Sequence, residues 1–399
     1  MKRGLTQRIS ELQEAETLKM ARMCRELQEG GSKVISLSLG EPDFATPEHI
    51  REAAIQAIRD GYSSYPPVPG YSDLREAIAA KFRRDNNLDY GASQVMVSTG
   101  AKQSLMNLLL ALVEKGDEVI LPAPYWVSYP QMVQFAQATV VPLNTSIEND
   151  YKITPEQLEA AITDKTRVFL FNSPCNPTGS VYSEAEQRAL GEVLARHPEV
   201  QIISDEIYEY ITYGEKHFSL AQIPELNERT TVVNGVSKGF AMTGWRIGYM
   251  AGPEWLIKGC EKLQGQFTSG ACSISQRATL AALTSSLEPT RQMATSFAKR
   301  KKLVVEKLSQ INGIKANDPK GAFYIFPEIK HYFGTHTNNQ RIQTSSELCM
   351  YLLQDAHVSL VAGEAFGSPN CIRLSFAASE TDLITGLENI KNSLDKLEV

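Results

Sequence analysis

Short runs of β-branched and apolar residues recur along the middle of this chain, at 95–98, 118–121, 139–141, 168–171, 201–204 and 230–233, with helical segments between several of them. Short buried strands alternating with helices predict an α/β fold, with a mainly parallel sheet covered by helices on both faces. In such sheets ligands sit at the carboxyl ends of the strands. The loops that follow each run are therefore the places to look for chemistry.

The flanking segments read differently. Residues 5–29 predict one helix, with Leu5, Ile9, Leu12, Leu18, Met23 and Leu27 on an apolar stripe. A short strand at 34–39 runs into Gly40-Glu41-Pro42-Asp43-Phe44, where glycine and proline force a loop. Residues 47–60 predict a helix with Thr46 as its cap, Pro47 in the first turn and Gly61 at the stop. The stretch 62–71 cannot be regular, and 73–85 is again helical. After Pro289 the character changes: a long charged helix with Lys299, Arg300, Lys301 and Lys302 as its solvated face leads to the run 321–326, a strand at 371–376 and a terminal helix. This pattern divides the chain into an N-terminal segment at 1–45 that joins a smaller α/β domain at 291–399, and a large domain at 46–290.

Composition removes several function classes. A net charge of −6 gives no basic footprint for nucleic acid. Met1-Lys2-Arg3 is followed by polar Thr6-Gln7-Arg8, so no secretory signal is expected, and the apolar stretch from Leu105 to Val113 is too short to span a bilayer. The six cysteines, Cys24, Cys175, Cys260, Cys272, Cys349 and Cys371, form no C-x-x-C pair and read as reduced packing residues of a cytoplasmic protein. The six histidines are scattered without ligand spacing, and no metal is expected.

Lys238, taken singly, reads as a solvated turn residue after a strand, but its neighbours ask for another reason. It lies among Val236, Gly239, Phe240 and Met242, directly after the run 230–233. Desolvation there depresses an ammonium's pKa from ~10.4 toward neutrality. A depressed lysine is a nucleophilic amine, suited to a Schiff base with a carbonyl cofactor such as pyridoxal phosphate. Gly235-Val236-Ser237-Lys238-Gly239 also matches the G-x-S-x-G nucleophile elbow, which requires a helix after the turn. Here an alternating segment follows instead, so Ser237 reads as a phosphate ligand.

The other loops supply complementary parts, each of which taken singly has an ordinary explanation as a cap, turn, ion pair or core residue. Thr99-Gly100-Ala101-Lys102 opens a helix after a strand, and its free N–H groups suit an anion. Arg246 can complete that socket with a charge-assisted fork. Asp205 ends a buried run and can hold a pyridine nitrogen protonated, while Tyr208 and Asn176 can hydrogen-bond a phenolic oxygen. Trp126 offers a flat face for an aromatic ring.

Three motifs then carry a family resemblance: S-P-x-N-P-T-G at 173–179, S-D-E-I-Y at 204–208 and S-K-x-x-x-M-T-G-W-R-I-G at 237–248. Together they resemble the fold type I pyridoxal-phosphate aminotransferases of class I/II, in particular the bacterial aspartate aminotransferase group. The similarity runs from Gly40 to Phe376. It implies pyridoxal 5'-phosphate as cofactor, with Lys238 as the attachment point and proton carrier. Asp205 falls on the pyridine nitrogen, Tyr208 and Asn176 on the phenolic oxygen, Trp126 on the ring face. Gly100, Ala101, Lys102, Ser237 and Arg246 surround the phosphate. Tyr65 matches a tyrosine that reaches the neighbouring subunit's phosphate, which implies a homodimer with shared sites. Arg373 matches the clamp for the substrate α-carboxylate, assisted by Asn176 and the Gly40 backbone.

Lys102 also matches a lysine credited with the distal carboxylate, which favours aspartate and glutamate with their 2-oxo acids. Two positions depart from relatives. Gln13 stands where a lysine is frequent, which argues against prephenate, and Tyr129 stands where some aspartate enzymes have histidine, so the support of Asp205 is expected to differ. The reaction expected is aspartate amino transfer; the alternative is a sister transaminase for aromatic amino acids, alanine or prephenate/arogenate. The same fold also serves as a ligand sensor in transcriptional regulators, but the segment before Gly40 is short and little basic for a DNA-binding domain.

Overall fold

The computed structural model describes residues 4–12, 14, 16–336 and 341–398. After the helix Glu16–Glu29 comes a two-residue strand, β1 (Ile35–Ser36). Seven strands then build the central sheet: β2 (Val95–Ser98), β3 (Glu118–Ala123), β4 (Thr139–Asn144), β5 (Thr166–Asn172), β6 (Gln201–Asp205), β7 (Thr230–Gly235) and β8 (Gly248–Ala251), in the order β2-β8-β7-β6-β5-β3-β4. The pairs β3/β4, β3/β5, β5/β6 and β6/β7 are parallel. Only β8 runs against its neighbours, β2 and β7. A parallel return needs a crossover, usually a helix. Between β7 and β8 there is only the short turn Thr243–Trp245, so the chain folds straight back and Gly248 lies opposite Gly235. The Lys238 loop is thereby held at the carboxyl ends of β6 and β7.

Both faces of the sheet are covered, as the alternation predicts. Along β2, Val95 and Val97 pack against Ile78, Phe82 and Ala278 of the helices Ser72–Asn86 and Ser273–Thr284. Met96 between them faces Leu105, Leu108 and Leu256 of the helices Ala101–Leu112 and Glu254–Phe267. The same switch of face separates Val232 from Val233 in β7.

The later chain forms a second, smaller layer. β9 (Tyr324–Ile325), β10 (Val358–Ser359), β11 (Val361–Ala362) and β12 (Ile372–Ser375) follow the helix Glu288–Leu308. β11-β12-β9 make an antiparallel sheet, and β10 takes β1 as a parallel partner through Ile35 and Val358. Leu37 enters the same core as Phe297, Leu352 and Leu387. The helix Glu288–Leu308 runs unbroken across position 290. Among the described residues, no helix is long and apolar enough to cross a membrane.

Three local expectations are corrected. The helix expected over 5–29 is two pieces, Gln7–Ser10 and Glu16–Glu29; Gln13 lies outside the described residues. Thr46 does not cap the helix Glu48–Arg59: its hydroxyl donates to the Ala241 carbonyl at 2.6 Å and accepts from Trp245 Nε1 at 3.0 Å, which ties this segment to the Lys238 loop. Arg300 is not solvated. It is buried, donates from Nη1 and Nη2 to the two Asp43 carboxylate oxygens at 2.7 and 2.9 Å, and lies over the rings of Phe44 and Phe297. A fork of that geometry is stable in partial burial because charge, hydrogen bonds and stacking act together.

Candidate active site

The carboxyl ends of the strands converge on a cavity of about 360 Å³, within the range of small-molecule sites. β7 delivers Ser237 and Lys238 through the loop that follows it, β6 delivers Asp205 and then Tyr208, and β5 delivers Asn172 and then Asn176. Trp126 enters after β3, Ala101 and Lys102 after β2. From the smaller layer, β12 adds Arg373 and β9 adds Tyr324; Gly40 arrives from the segment after β1.

Lys238 points its ammonium at the Gly40 carbonyl, to which it donates, and stands 5.9 Å from the ring centroids of Tyr208 and Phe323. Burial pushes its pKa down to about 8; Glu41 pulls it up, and Arg373 and Arg246 push it further down. Asp205 lines the cavity with its carboxyl held by an aromatic hydroxyl: Tyr129 donates to its Oδ2 at 2.7 Å, and the Ile207 N–H donates to Oδ1 at 3.3 Å. Burial raises Asp205 to about 6 against the pull of the Tyr129 hydrogen bond. A cation placed against that carboxyl reverses the shift. Tyr129 thus supports the aspartate from a fully buried phenol.

The cavity also holds an anion socket. Gly100 caps the helix Ala101–Leu112 with φ +82°, and the first N–H groups of a helix are without intrahelical partners. Arg246 holds its own backbone at φ +58° and donates from Nη1 to the Thr243 carbonyl at 2.8 Å. A Cβ on Gly100 would strike that guanidinium, so Gly100 borders the cavity through Arg246 and does not line it. A Cβ on Gly248 would overlap the backbone of Gly100 and Ala101. That glycine lets β8 start in contact with the socket, a requirement the sequence does not announce. Ser237 is buried beside it.

Two further cations face the space without a carboxylate of their own among the described residues. Arg373 is almost wholly buried; it donates from Nη1 to Asn176 Oδ1 at 3.0 Å and from Nη2 to the Ser38 carbonyl, and its Nε has no partner. Burial lowers its pKa. Lys102 lies 4.7 Å over the Trp126 ring, its pKa lowered by burial and by Arg246. Asn172 fastens the framework: its amide donates to the Asp205 carbonyl at 2.8 Å, and its Oδ1 accepts from the Asn176 N–H at 3.0 Å. The chain is acidic overall, yet this cavity is cationic. It suits a flat anionic carbonyl cofactor and a carboxylate-bearing substrate.

Tyr65 stands apart: it is 94% exposed and does not line the cavity of its own chain. Tyr324, Asn172 and Gly248 are site residues that sequence reasoning did not assign. Asn172 directly precedes the S-P-x-N-P-T-G motif, and Tyr324 lies in the 321–326 run, but no spacing links Tyr324 to the cavity. Neither does spacing reveal that Glu206, Glu209 and His217 bring ligand-type atoms within 4.8 Å of one another. Their charges are paired from within. Lys81, fully buried, pairs with Glu209; Ser204 and Ser219 donate to Glu206, which also meets His217 Nε2 at 2.8 Å. A larger open groove of about 890 Å³ beside the helix Glu288–Leu308 contains none of the expected site residues.

Comparisons with known proteins agree with this architecture. The model of the family "Aminotransferase class I and II" matches residues 32–390. A bifunctional aspartate aminotransferase and glutamate/aspartate-prephenate aminotransferase from Petunia hybrida is 46% identical over 396 residues, covering 98% of this chain and 83% of that protein. An aspartate aminotransferase from Geobacillus stearothermophilus is 44% identical over 98% of this chain and 99% of its own. Among solved structures, an aspartate aminotransferase from Rhizobium meliloti superposes with a TM-score of 0.96 at 43% identity, over 99% of this chain and 100% of that one. An aspartate aminotransferase from Thermus thermophilus with maleate gives 0.92 at 38% identity, over 98% and 100%. The parallel sheet, the lysine loop and the matched length leave one assignment: this chain belongs to the class I and II aminotransferases of fold type I, and is a transaminase.

Proposed function

We propose that the chain is an aspartate aminotransferase that uses pyridoxal 5'-phosphate. It passes the amino group of L-aspartate to 2-oxoglutarate by a ping-pong exchange, giving oxaloacetate and L-glutamate. The observation that carries the substrate reading is the pair of unmatched cations, Arg373 and Lys102, in one cavity. A buried cation without a counter-charge is costly, and a dicarboxylate relieves two at once.

The donor set fits the cofactor. When bound, pyridoxal phosphate supplies a carbonyl for an amine and a ring that accepts the electron pair released at the substrate Cα. Lys238 Nζ holds it and, with a pKa that burial pushes down to about 8, moves the proton at Cα. Asp205 receives the pyridine nitrogen, an arrangement that further favours the ionised carboxyl. Tyr208 and Asn176 orient the phenolic oxygen, and Trp126 covers the ring. The helix end at Ala101–Lys102, Ser237 and Arg246 bind the phosphate with Gly100 behind them. Arg373 grips the α-carboxylate with Asn176 and the Gly40 backbone, and Lys102 the distal one.

Two features of the wider reading belong here. Tyr65, exposed on its own chain, meets the phosphate in the site of a second copy, so the working unit is a homodimer in the cytoplasm. The division at 45/46 and 290/291 places Lys238 and Arg373 on different domains, and a substrate held by both draws them together. Amino transfer to prephenate is the second reading, favoured by the names of relatives such as the aspartate/prephenate aminotransferase of Nitrosomonas europaea, 43% identical.

The test is a titration of the cofactor-loaded protein with aspartate, alanine, phenylalanine and arogenate, each without a 2-oxo acid. Conversion of the cofactor's visible band by aspartate at the lowest concentration supports the proposal. Conversion only by another amino acid overturns the substrate assignment.

A further inference from the structure

Tyr324 is placed where no part of the reading above uses it. It sits on β9, is 1% exposed and lines the cavity, and its hydroxyl lies 2.8 Å from that of Tyr208. The Arg373 guanidinium stacks 4.5 Å from its ring centroid. The hydroxyl also rests against Gly40, where any Cβ would overlap it. One phenol therefore touches three groups: the phenolic-oxygen donor Tyr208, the carboxylate clamp Arg373, and the backbone that accepts from Lys238. These groups come from the large sheet, the small sheet and the N-terminal segment.

Either hydroxyl of the tyrosine pair can be the donor in isolation. A phenol has one proton to give and can also accept. Once Tyr208 gives its proton to an oxygen anion in the cavity, the hydrogen between the two phenols has to be Tyr324's. Donation into Tyr208 polarises its O–H bond and strengthens what it donates. Meanwhile the ring face beneath Arg373 fixes the plane of the guanidinium, whose unpartnered Nε leaves it less constrained by hydrogen bonds alone.

We propose that Tyr324 is a positioning residue with two separable parts: its hydroxyl commits the Tyr208 proton to the cofactor, and its ring face sets the angle of Arg373. The first part rests on the Tyr208 role proposed above. It also explains why position 40 is glycine: a Cβ there would take the place of the Tyr324 hydroxyl.

The experiment uses the cofactor-loaded protein as Tyr324→Phe, Tyr324→Leu and Tyr208→Phe variants, with spectral pH titration and steady-state kinetics. A hydrogen bond given to an oxygen anion favours its ionised form, so weakening it raises the pH midpoint of the bound cofactor's visible band. Tyr324→Phe is expected to raise that midpoint by about 0.5 pH unit, less than Tyr208→Phe does. Tyr324→Leu is expected also to raise the KM for aspartate roughly tenfold, beyond any change in Tyr324→Phe. A midpoint moved by Tyr208→Phe but unmoved by Tyr324→Phe overturns the hydroxyl part. Equal KM values in the Phe and Leu variants overturn the ring part. If neither Tyr208→Phe nor Tyr324→Phe moves the midpoint, the Tyr208 role itself fails and the hydroxyl part with it.

Discussion

Tyr129 donates its hydroxyl hydrogen to Asp205 Oδ2 at 2.7 Å, both groups being buried, and this bond opposes the rise in the Asp205 pKa that burial causes. Removing the donor leaves only the Ile207 N–H and the Lys238 charge to oppose burial, so in Tyr129→Phe the carboxyl titrates above its present value of about 6. The acid limb of the kcat/KM profile is expected to move to higher pH, with a fall of roughly tenfold at neutrality. Tyr129→His, which can donate from a ring nitrogen, is expected to restore much of the loss. A pH profile identical to the parent's in Tyr129→Phe would remove Asp205 support from the account.

Lys238 makes a stability prediction of defined sign. Its pKa is about 8 in the folded chain against 10.5 for an unperturbed lysine, so folding penalises the charged form. That penalty is full below pH 8 and vanishes as pH climbs through 10.5. Without cofactor, Lys238→Met is expected to be more stable than the parent by about 1–2 kcal/mol at pH 7, the value being reduced by solvent in the cavity, and to lose its advantage near pH 11. Denaturant unfolding at both pH values measures this, and a variant that is less stable at pH 7 contradicts it.

The course of the chain was legible wherever local chemistry decides it. Gly61, with φ +78°, stops the helix Glu48–Arg59 as the sequence predicts, and the loops carrying Lys102, Trp126, Asn176, Asp205 and Lys238 follow or end strands, whereas Tyr65 lies between two helices. What escaped depends on pairing between distant segments. Arg300 looks like one cation in a solvated run of four, and only the fold shows Asp43, 257 positions away, as its partner. Thr46 has the residue type of a cap, but the Ala241 carbonyl and the Trp245 indole compete for its hydroxyl and win. The meeting of Tyr324 with Tyr208 and the role of Gly248 likewise arise from packing that no spacing encodes.

Asp43 anchors the loop whose Gly40 carbonyl accepts from Lys238, so its pair with Arg300 matters to stability and to substrate binding. In Asp43→Ala the Arg300 charge stays largely buried without a partner. The expected loss is about 2–4 kcal/mol in denaturant unfolding, with a higher KM for aspartate. The double variant Asp43→Ala/Arg300→Leu is expected to recover part of that stability. Strict additivity of the two single effects would argue that the pair does not couple.

Gly248 allows β8 to begin against the Gly100–Ala101 backbone. In Gly248→Ala the new methyl meets main chain that cannot rotate away, and the anion socket has to open. Phosphate-dependent cofactor affinity is expected to fall at least roughly tenfold, read by equilibrium dialysis. Unchanged affinity would show that the socket tolerates the displacement.

Lys102 separates dicarboxylates from other amino acids if it meets the distal carboxylate. Lys102→Met is expected to raise the KM for aspartate by roughly 10- to 100-fold and to change that for phenylalanine little. Arg373→Lys, which keeps the charge and loses the fork, is expected to weaken both substrates. Equal effects of Lys102→Met on aspartate and phenylalanine would place Lys102 on the cofactor alone.

The central claim is that the near-neutral amine of Lys238 holds the cofactor. Borohydride reduction of the protein loaded with pyridoxal phosphate, followed by peptide mass mapping, tests it directly. The expected result is one cofactor mass per chain, on the peptide containing Lys238, and none on Lys238→Ala. A label on Lys102 or spread over surface lysines, with Lys238 unmodified, would contradict the account.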